Sequence, residues 1–400
     1  MSGIQFGVGS LHLLLTVLPD KIVRQFSGVS WKIDKEKGLS LLKQSISSGG
    51  TRAAFSALIL VPSIYGPESL QPTIDCLVAA QQSYPKSCFF LYYAGRISRV
   101  ARNVSLSTQS FSMASASVRK AAWAEVAMKH TVAYEVALNH ALQLDWETSA
   151  AYFEQLGRAR DWSPAFCQYF VGACLEMSGQ RQEAIEVFDD VPVLVHHQHH
   201  RRSCLDNYVL ACVEHHQQSE YQDLDHRLPG LELLLVLNAF SFMEDEYLER
   251  CLIMVQETMQ SINAAVLLLL DSTNAHHDDL LDAEAQGVVQ SYATLRLVKA
   301  AVCNALTEYR QAQTELNWLV SHESFLAHED WLLPFIYWEA GIACWGLDDR
   351  LKSQEWWQQA LSCTNYHFEY RMASRVHLSF GKCDLLGIHL DSAKILRKRT

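Results

Sequence analysis

The chain of 400 residues predicts an all-α fold, and three observations carry that prediction. Proline is rare, nine in all, so few segments are barred from the helix interior. Glycine sits mostly between blocks in which apolar residues recur at three- and four-residue steps. Alternating apolar and polar runs of the kind that form half-buried strands are almost absent.

Taken in order, the first block is FGVGSLHLLLTVLP, Phe6 to Pro19, apolar nearly all round and therefore expected to be buried on both sides. Gly7 and Gly9 are expected to let a neighbouring backbone approach its start, and Pro19 with Asp20 to open the next helix. Asp34 is placed to cap a helix carrying Leu39, Leu42 and Ile46, which Gly49 and Gly50 end. Thr51 starts another, with Phe55, Leu58 and Ile59 on one face.

Further along, four windows fit one frame of about 34 residues and two helices, the tetratricopeptide frame. A small residue in helix A is followed by a second small residue early in helix B and a large apolar one four positions later. The triplets are Ala137, Ser149 and Phe153; Gly172, Ala184 and Phe188; Ala300, Ala312 and Leu316; Gly341, Ser353 and Trp357. Backbones approach closely only over small side chains, and the large residue fills the groove between repeats. The expectation is a set of helical-hairpin repeats stacked into an α-α superhelix, a solenoid. Residues 1–118 form an N-terminal helical region and 119–192 hold repeats. Residues 193–286 hold degenerate helix pairs with a His-rich loop, and 287–400 hold the C-terminal repeats. HHQHHRR, His196 to Arg202, is the expected boundary between two halves.

Composition excludes several functions. With 33 Lys and Arg against 44 Asp and Glu, the net charge of −11 disfavours nucleic acid, whose binders depend on clustered positive charge. Eleven scattered cysteines with no CxxC suggest neither a disulfide framework nor a zinc cage, and point to a reducing compartment, cytoplasmic or nuclear. The leucine block lacks the charged start and cleavage site of a secretory signal. The longest uninterrupted apolar stretches, such as Ala264 to Leu270, fall far below the roughly 20 residues of a membrane span, so no transmembrane segment is expected.

Sites for chemistry are equally scarce. Gly7-x-Gly9 lacks the third glycine and the preceding strand of a dinucleotide fingerprint, and SSGGTR, Ser47 to Arg52, lacks the lysine of a phosphate loop. His196, His197, His199 and His200, and His276-His277 beside Asp278-Asp279, lack the fixed spacing of ligands on a rigid element. No GxSxG stands in the chain. The expectation is no enzyme, no cofactor and no metal.

What remains is the concave face lined by each helix A. From the small crossing residue the groove positions are Tyr169, Ala173 and Glu176, then Leu297, Ala301 and Asn304, then Trp338, Ile342 and Trp345. Such a groove is aromatic and apolar. It suits a protein partner's amphipathic helix or extended apolar peptide, or else an apolar small molecule such as a sterol. Against this, Trp338 and Trp345 can equally be core, packed on Trp356 and Trp357.

The N-terminal block also resembles a known family. The glycine-led helix ending in Leu18 and Pro19, then IVRQF, GLSLL at Gly38 to Leu42 and Arg52 resemble the tetratricopeptide repeat protein 39 family. So do FFLYYAGRISR at Phe89 to Arg99 and the aromatic run from Leu144 to Tyr169. That family also includes the fungal inclusion-body clearance proteins. The resemblance implies a non-enzymatic scaffold or adaptor with links to lipid and sterol homeostasis, lipid droplets or inclusion bodies, reaching membranes through its partners. Members usually carry a helical region before the glycine-led helix, so an apolar patch and self-association are expected where this chain begins.

Overall fold

A computed structural model describes residues 2–17, 34–48, 51–64, 70–118, 122–159, 162–196, 203–275, 283–326 and 331–388. Every regular element among them is helical, and the chain divides into two compact units, Met1–Asn139 and His140–Thr400. The boundary expected at HHQHHRR falls mostly outside the described residues; the division into the two units falls inside a helix, between Asn139 and His140.

The first unit contains α1 (Ser2–Val17), α2 (Lys35–Ser47), α3 (Thr51–Ile64), α4 (Leu70–Ser83), α5 (Cys88–Val100), α6 (Val104–Val118) and most of α7 (Ala122–Leu142). Asp34 caps α2 as expected, accepting from the Lys37 N–H at 2.9 Å. α1 crosses α2 where a Cβ on Gly9 would lie 3.1 Å from the Gly38 carbonyl oxygen, so the crossing demands glycine. Gly7, by contrast, has open space around it. Within this unit α1 buries one side only: His12 and Leu13 are inside, whereas Ile4 and Leu14 are exposed. In α3, Ala53, Ser56, Ala57 and Leu60 face inward and Phe55 is exposed, because small residues let α3 close on α2, where Ser56 donates to Ser45.

The second unit contains α8 (Trp146–Ala159), α9 (Pro164–Met177), α10 (Arg181–Asp189), α11 (Val191–His196), α12 (Cys204–Gln218) and α13 (Pro229–Val236). It continues through α14 (Asp245–Ala275), α15 (Ala283–Ala305), α16 (Tyr309–Ser321), α17 (Glu323–Leu326), α18 (Leu332–Gly346), α19 (Arg350–Ser362) and α20 (Glu369–Leu385). A 3-10 turn, Gln222–His226, joins α12 to α13.

All twelve residues of the four sequence triplets are buried. A Cβ on Gly172 would lie 2.6 Å from the Phe188 ring, and one on Gly341 would overlap Trp357, so the large residue of helix B rests directly on the helix A backbone. A fifth hairpin obeys the same frame. In α5 and α6, Gly95, Ser107 and Phe111 occupy the three positions, with Phe111 2.6 Å from the Cβ that Gly95 lacks.

The turns repeat too. Seven positions past each small residue the backbone is left-handed, at Arg102, Leu144, Gly179, Thr307 and Asp348, with φ between 56° and 78°. The next N–H donates back across the helix end, from Asn103 to Ser98, Asp145 to His140, Gln180 to Leu175, Glu308 to Cys303 and Asp349 to Cys344, at 2.8 to 2.9 Å. This is the Schellman geometry, which satisfies carbonyls a helix end leaves open. The fold is therefore an all-α array of tetratricopeptide-like hairpins.

One helix bears on the sequence expectation of no transmembrane segment. α14 is unbroken, and its window Asp245–Leu269 is long and apolar enough to cross a membrane by length and composition, although 22% of the window is buried. Counting uninterrupted apolar runs overlooked it because polar residues are interspersed. Its inward stripe, Leu248, Cys251, Val255, Met259, Ile262 and Val266, steps by three and four residues, and α14 packs on α15. Ile253, Leu267 and Leu268 stand exposed.

Candidate functional site

The first groove predicted from sequence is filled by the chain itself. Tyr169 is 1% exposed, its ring 5.2 Å from Phe188 and parallel to His216 of α12. α12 and α13 both pack on α9, and every residue of α13, PGLELLLV, is buried. A helix buried on all sides, with its one charged residue Glu232 paired to Arg227, belongs in the middle of a unit, and the face of α9 that carries Tyr169 and Ala173 is what it covers. These two residues are core. Glu176 is held by Arg181, whose Nε lies 3.1 Å from both carboxylate oxygens.

The last groove is likewise closed. Leu297 is fully buried and Trp338 is 7% exposed, its carbonyl accepting from Trp357 Nε1 at 3.3 Å. Trp345 is half-buried, stacked on Trp357, with the Arg350 guanidinium 4.1 Å and the Lys382 ammonium 5.1 Å from its ring centre. Cations over indole faces leave no bare aromatic ladder for a partner. Of the predicted positions, Ala301, Asn304 and Ile342 do line a space, a small pocket of about 90 Å³ beside Glu339.

A larger opening lies elsewhere in the second unit, between α12, the start of α15 and the turn before α20. This cleft holds about 470 Å³, within the range of binding pockets. Tyr208, His215, Arg227, Gln290, Trp331 and Tyr366 line it. Tyr208 is fixed edge-on to Trp331 at 5.7 Å and against Phe368 at 5.1 Å, and its hydroxyl, buried, has no hydrogen-bond partner among the described residues. A buried hydroxyl without a partner is costly, so it marks a place where an incoming acceptor or donor is rewarded.

The charged floor of the cleft is rigid. Arg227, 5% exposed, makes a two-pronged pair with Glu232, Nε to Oε1 and Nη2 to Oε2, both at 3.1 Å. Asp223 accepts from Ser219 at 2.7 Å and lies 2.6 Å from His216 Nδ1. Burial raises the Asp223 carboxyl, yet His216, Arg227 and Ser219 together hold it well below the carboxylate range. Burial and then Arg227 push the His215 imidazole down. The cleft thus presents a buried, ion-paired arginine at its floor beside an imidazole biased to its neutral form, with aromatic walls.

The described residues hold no cluster of three His, Cys, Asp or Glu able to grip a metal. Of the histidine runs, His196 is exposed and bonded to the Pro192 carbonyl; His197 to His200 and His276 to Asp279 lie outside the described residues. All eleven cysteines are free. Burial pushes Cys167, Cys174 and Cys251 up to about 12, which keeps them as thiols, poor nucleophiles near neutrality.

A sequence model of the family described as Iml2/Tetratricopeptide repeat protein 39 matches residues 1–283. The chain belongs to this family. Among solved structures, a chain of "Structure of Naa15/Naa10 bound to HypK-THB" is similar over 88% of this chain, at 11% identity and a TM-score of 0.31. This chain spans 63% of the length of that one. In this Iml2/Tetratricopeptide repeat protein 39 member the hairpin frame continues past the matched segment, through α15 with α16 and α18 with α19.

Sequence reasoning missed the cleft because separated segments build it: α12, Arg227, the start of α15, Trp331 and residues 365–367. The only local sign was the capping box at the head of α12, Ser203 with Asp206, which marks a helix start and nothing about what the helix lines.

Proposed function

We propose that this chain is a non-enzymatic protein-interaction scaffold, an adaptor of the cytosol or nucleus, and that its partner lays an extended segment into the cleft of the second unit. The observation that carries this reading is an open cleft that combines polar and aromatic groups, with Tyr208, whose hydroxyl has no partner among the described residues, in its lining. An extended peptide supplies backbone donors and acceptors at regular steps, and aromatic walls supply apolar anchoring area. Membership of a tetratricopeptide repeat family supports the same reading. Any part in lipid or sterol homeostasis then runs through the proteins it holds. A sterol demands an enclosed apolar space, whereas this cleft has Arg227, His215 and Gln290 among its walls.

Ala211 is exposed and lies on the cleft wall, so Ala211→Arg adds bulk and charge to the opening without touching the core. Proteins recovered with the tagged wild-type chain are compared with those recovered with the variant. Selective loss of specific partners, with an unchanged thermal midpoint, is the expected result. Unchanged partner recovery sinks the reading.

A further inference from the structure

The same frame positions recur in two places, with opposite outcomes. In the first unit, positions −3, +1 and +4 from Gly95 are Tyr92, Arg96 and Arg99, and all three converge on Glu135, two residues before the next small residue, Ala137. Arg99 Nη1 donates to Glu135 Oε2 at 2.5 Å and Arg96 Nη1 to Oε1 at 3.0 Å, while Tyr92 donates to Oε1 at 2.8 Å. Arg99 also reaches the Glu135 carbonyl and the Asn139 amide oxygen, at 2.9 and 2.7 Å. Burial raises the Glu135 carboxyl, but the two guanidiniums and their hydrogen bonds outweigh it and leave it below the ordinary value.

In the second unit the matching positions from Ala300 are Leu297, Ala301 and Asn304, and the matching carboxylate, two residues before Gly341, is Glu339. Glu339 is 5% exposed and takes one hydrogen bond from Asn304 Nδ2, at 2.8 Å. No cation stands where Arg96 and Arg99 stand. Arg375 is near enough to act on Glu339 through its charge, but it donates its hydrogen bond to the Val236 carbonyl at 3.0 Å, with its guanidinium 5.6 Å from the centre of the Phe335 ring. In the place of the two arginines is the pocket of about 90 Å³, lined by Asn238, Phe240, Ser241 and Ala301 as well as Asn304 and Glu339. Asn304 is 6% exposed and its Oδ1 is buried without a partner among the described residues.

The geometry points to this pocket as a receptor for one arginine side chain of a protein partner, its guanidinium held between Glu339 and Asn304 Oδ1. The pocket is too small for a drug-sized molecule and suits the head of one side chain. Two of its polar groups, the Glu339 carboxyl when ionised and the unpartnered Asn304 Oδ1, accept, and a planar five-donor fork satisfies them together; Asn238 and Ser241 add an amide and a hydroxyl to the lining. Phe240 also lines the pocket and adds an aromatic neighbour for a cation. The chain answers the same carboxylate with its own arginines in the first unit, so the chemistry is one the fold already uses. This rests on the chain binding proteins but on a different surface from the cleft.

The probe is N-acetyl-arginine methylamide, titrated into the full chain and followed by saturation-transfer NMR and the thermal midpoint. The citrulline and lysine analogues serve as neutral and ammonium arms. The arginine compound is expected to bind and raise the midpoint, the citrulline compound to do neither, and the lysine compound to bind more weakly. Glu339→Gln should weaken binding roughly tenfold or more, as expected for losing a charged hydrogen bond. Asn304→Arg, which supplies the guanidinium from within, should abolish it. Equal binding of arginine and citrulline analogues, or no binding of either, overturns the assignment, and tighter binding of lysine overturns the guanidinium. If a variant fails to fold, the wild-type comparison of charged with neutral probe decides. Ala211→Arg should leave probe binding intact, so failure here and failure of the cleft reading are separable.

Discussion

Two glutamates at one frame position show how local charge sets the cost of burial. Burial pushes the Glu339 carboxyl up to about 7 from an ordinary 4.5, with Asn304 and Arg375 acting the other way. The native state therefore keeps a proton that the unfolded chain has released, and stability falls as pH rises from about 4.5 to about 7, by roughly 3 kcal/mol. Glu339→Gln removes this loss. Denaturant unfolding should find the two proteins of similar stability near pH 4.5 and the variant more stable at pH 8; parallel curves would show that Glu339 is not buried in this way. Arg99→Ala acts in the opposite sense, leaving buried Glu135 to Arg96 and Tyr92 alone at a cost of about 1.5–3 kcal/mol, measurable in the same assay. Trp338→Ala should cost about 3–5 kcal/mol and lower the thermal midpoint, because Trp338 is core and not a partner contact.

At the scale of the element, the hairpin is the unit that was legible. Small and large residues at fixed offsets, such as Gly172 with Phe188 and Gly341 with Trp357, were readable because close helix approach permits few side chains there. The α5 and α6 hairpin is harder to see because its second helix, VSLSTQSFSMASASV, is rich in small polar residues and carries Phe111 as its only aromatic. The left-handed turn position was also hidden, since glycine occupies it only at Gly179. Thr307 is the most strained of the set, a β-branched residue at φ 64°. Thr307→Gly should stabilise the chain by about 1 kcal/mol, and Gly179→Ala should destabilise it by a similar amount. Opposite signs in denaturant midpoints would mean that the turns do not share one geometry.

For the whole molecule, sequence periodicity says that a helix is buried but not what buries it. α13 is buried on every side and was read as part of a degenerate pair, yet it lies over the α9 face that the groove prediction left open. That one misplacement moved Tyr169 and Ala173 from the groove to the core. The cleft was illegible for the related reason that Tyr208, Gln290 and Tyr366 come from distant segments that local patterns cannot join.

The central claim, that partners are held in this cleft, is tested most directly by hydrogen exchange on the chain alone and in complex with a partner that Ala211→Arg loses. Protection is predicted in α12, at the start of α15 and across residues 365–368. Protection that spares all three and falls instead on the exposed face of α14 would contradict it.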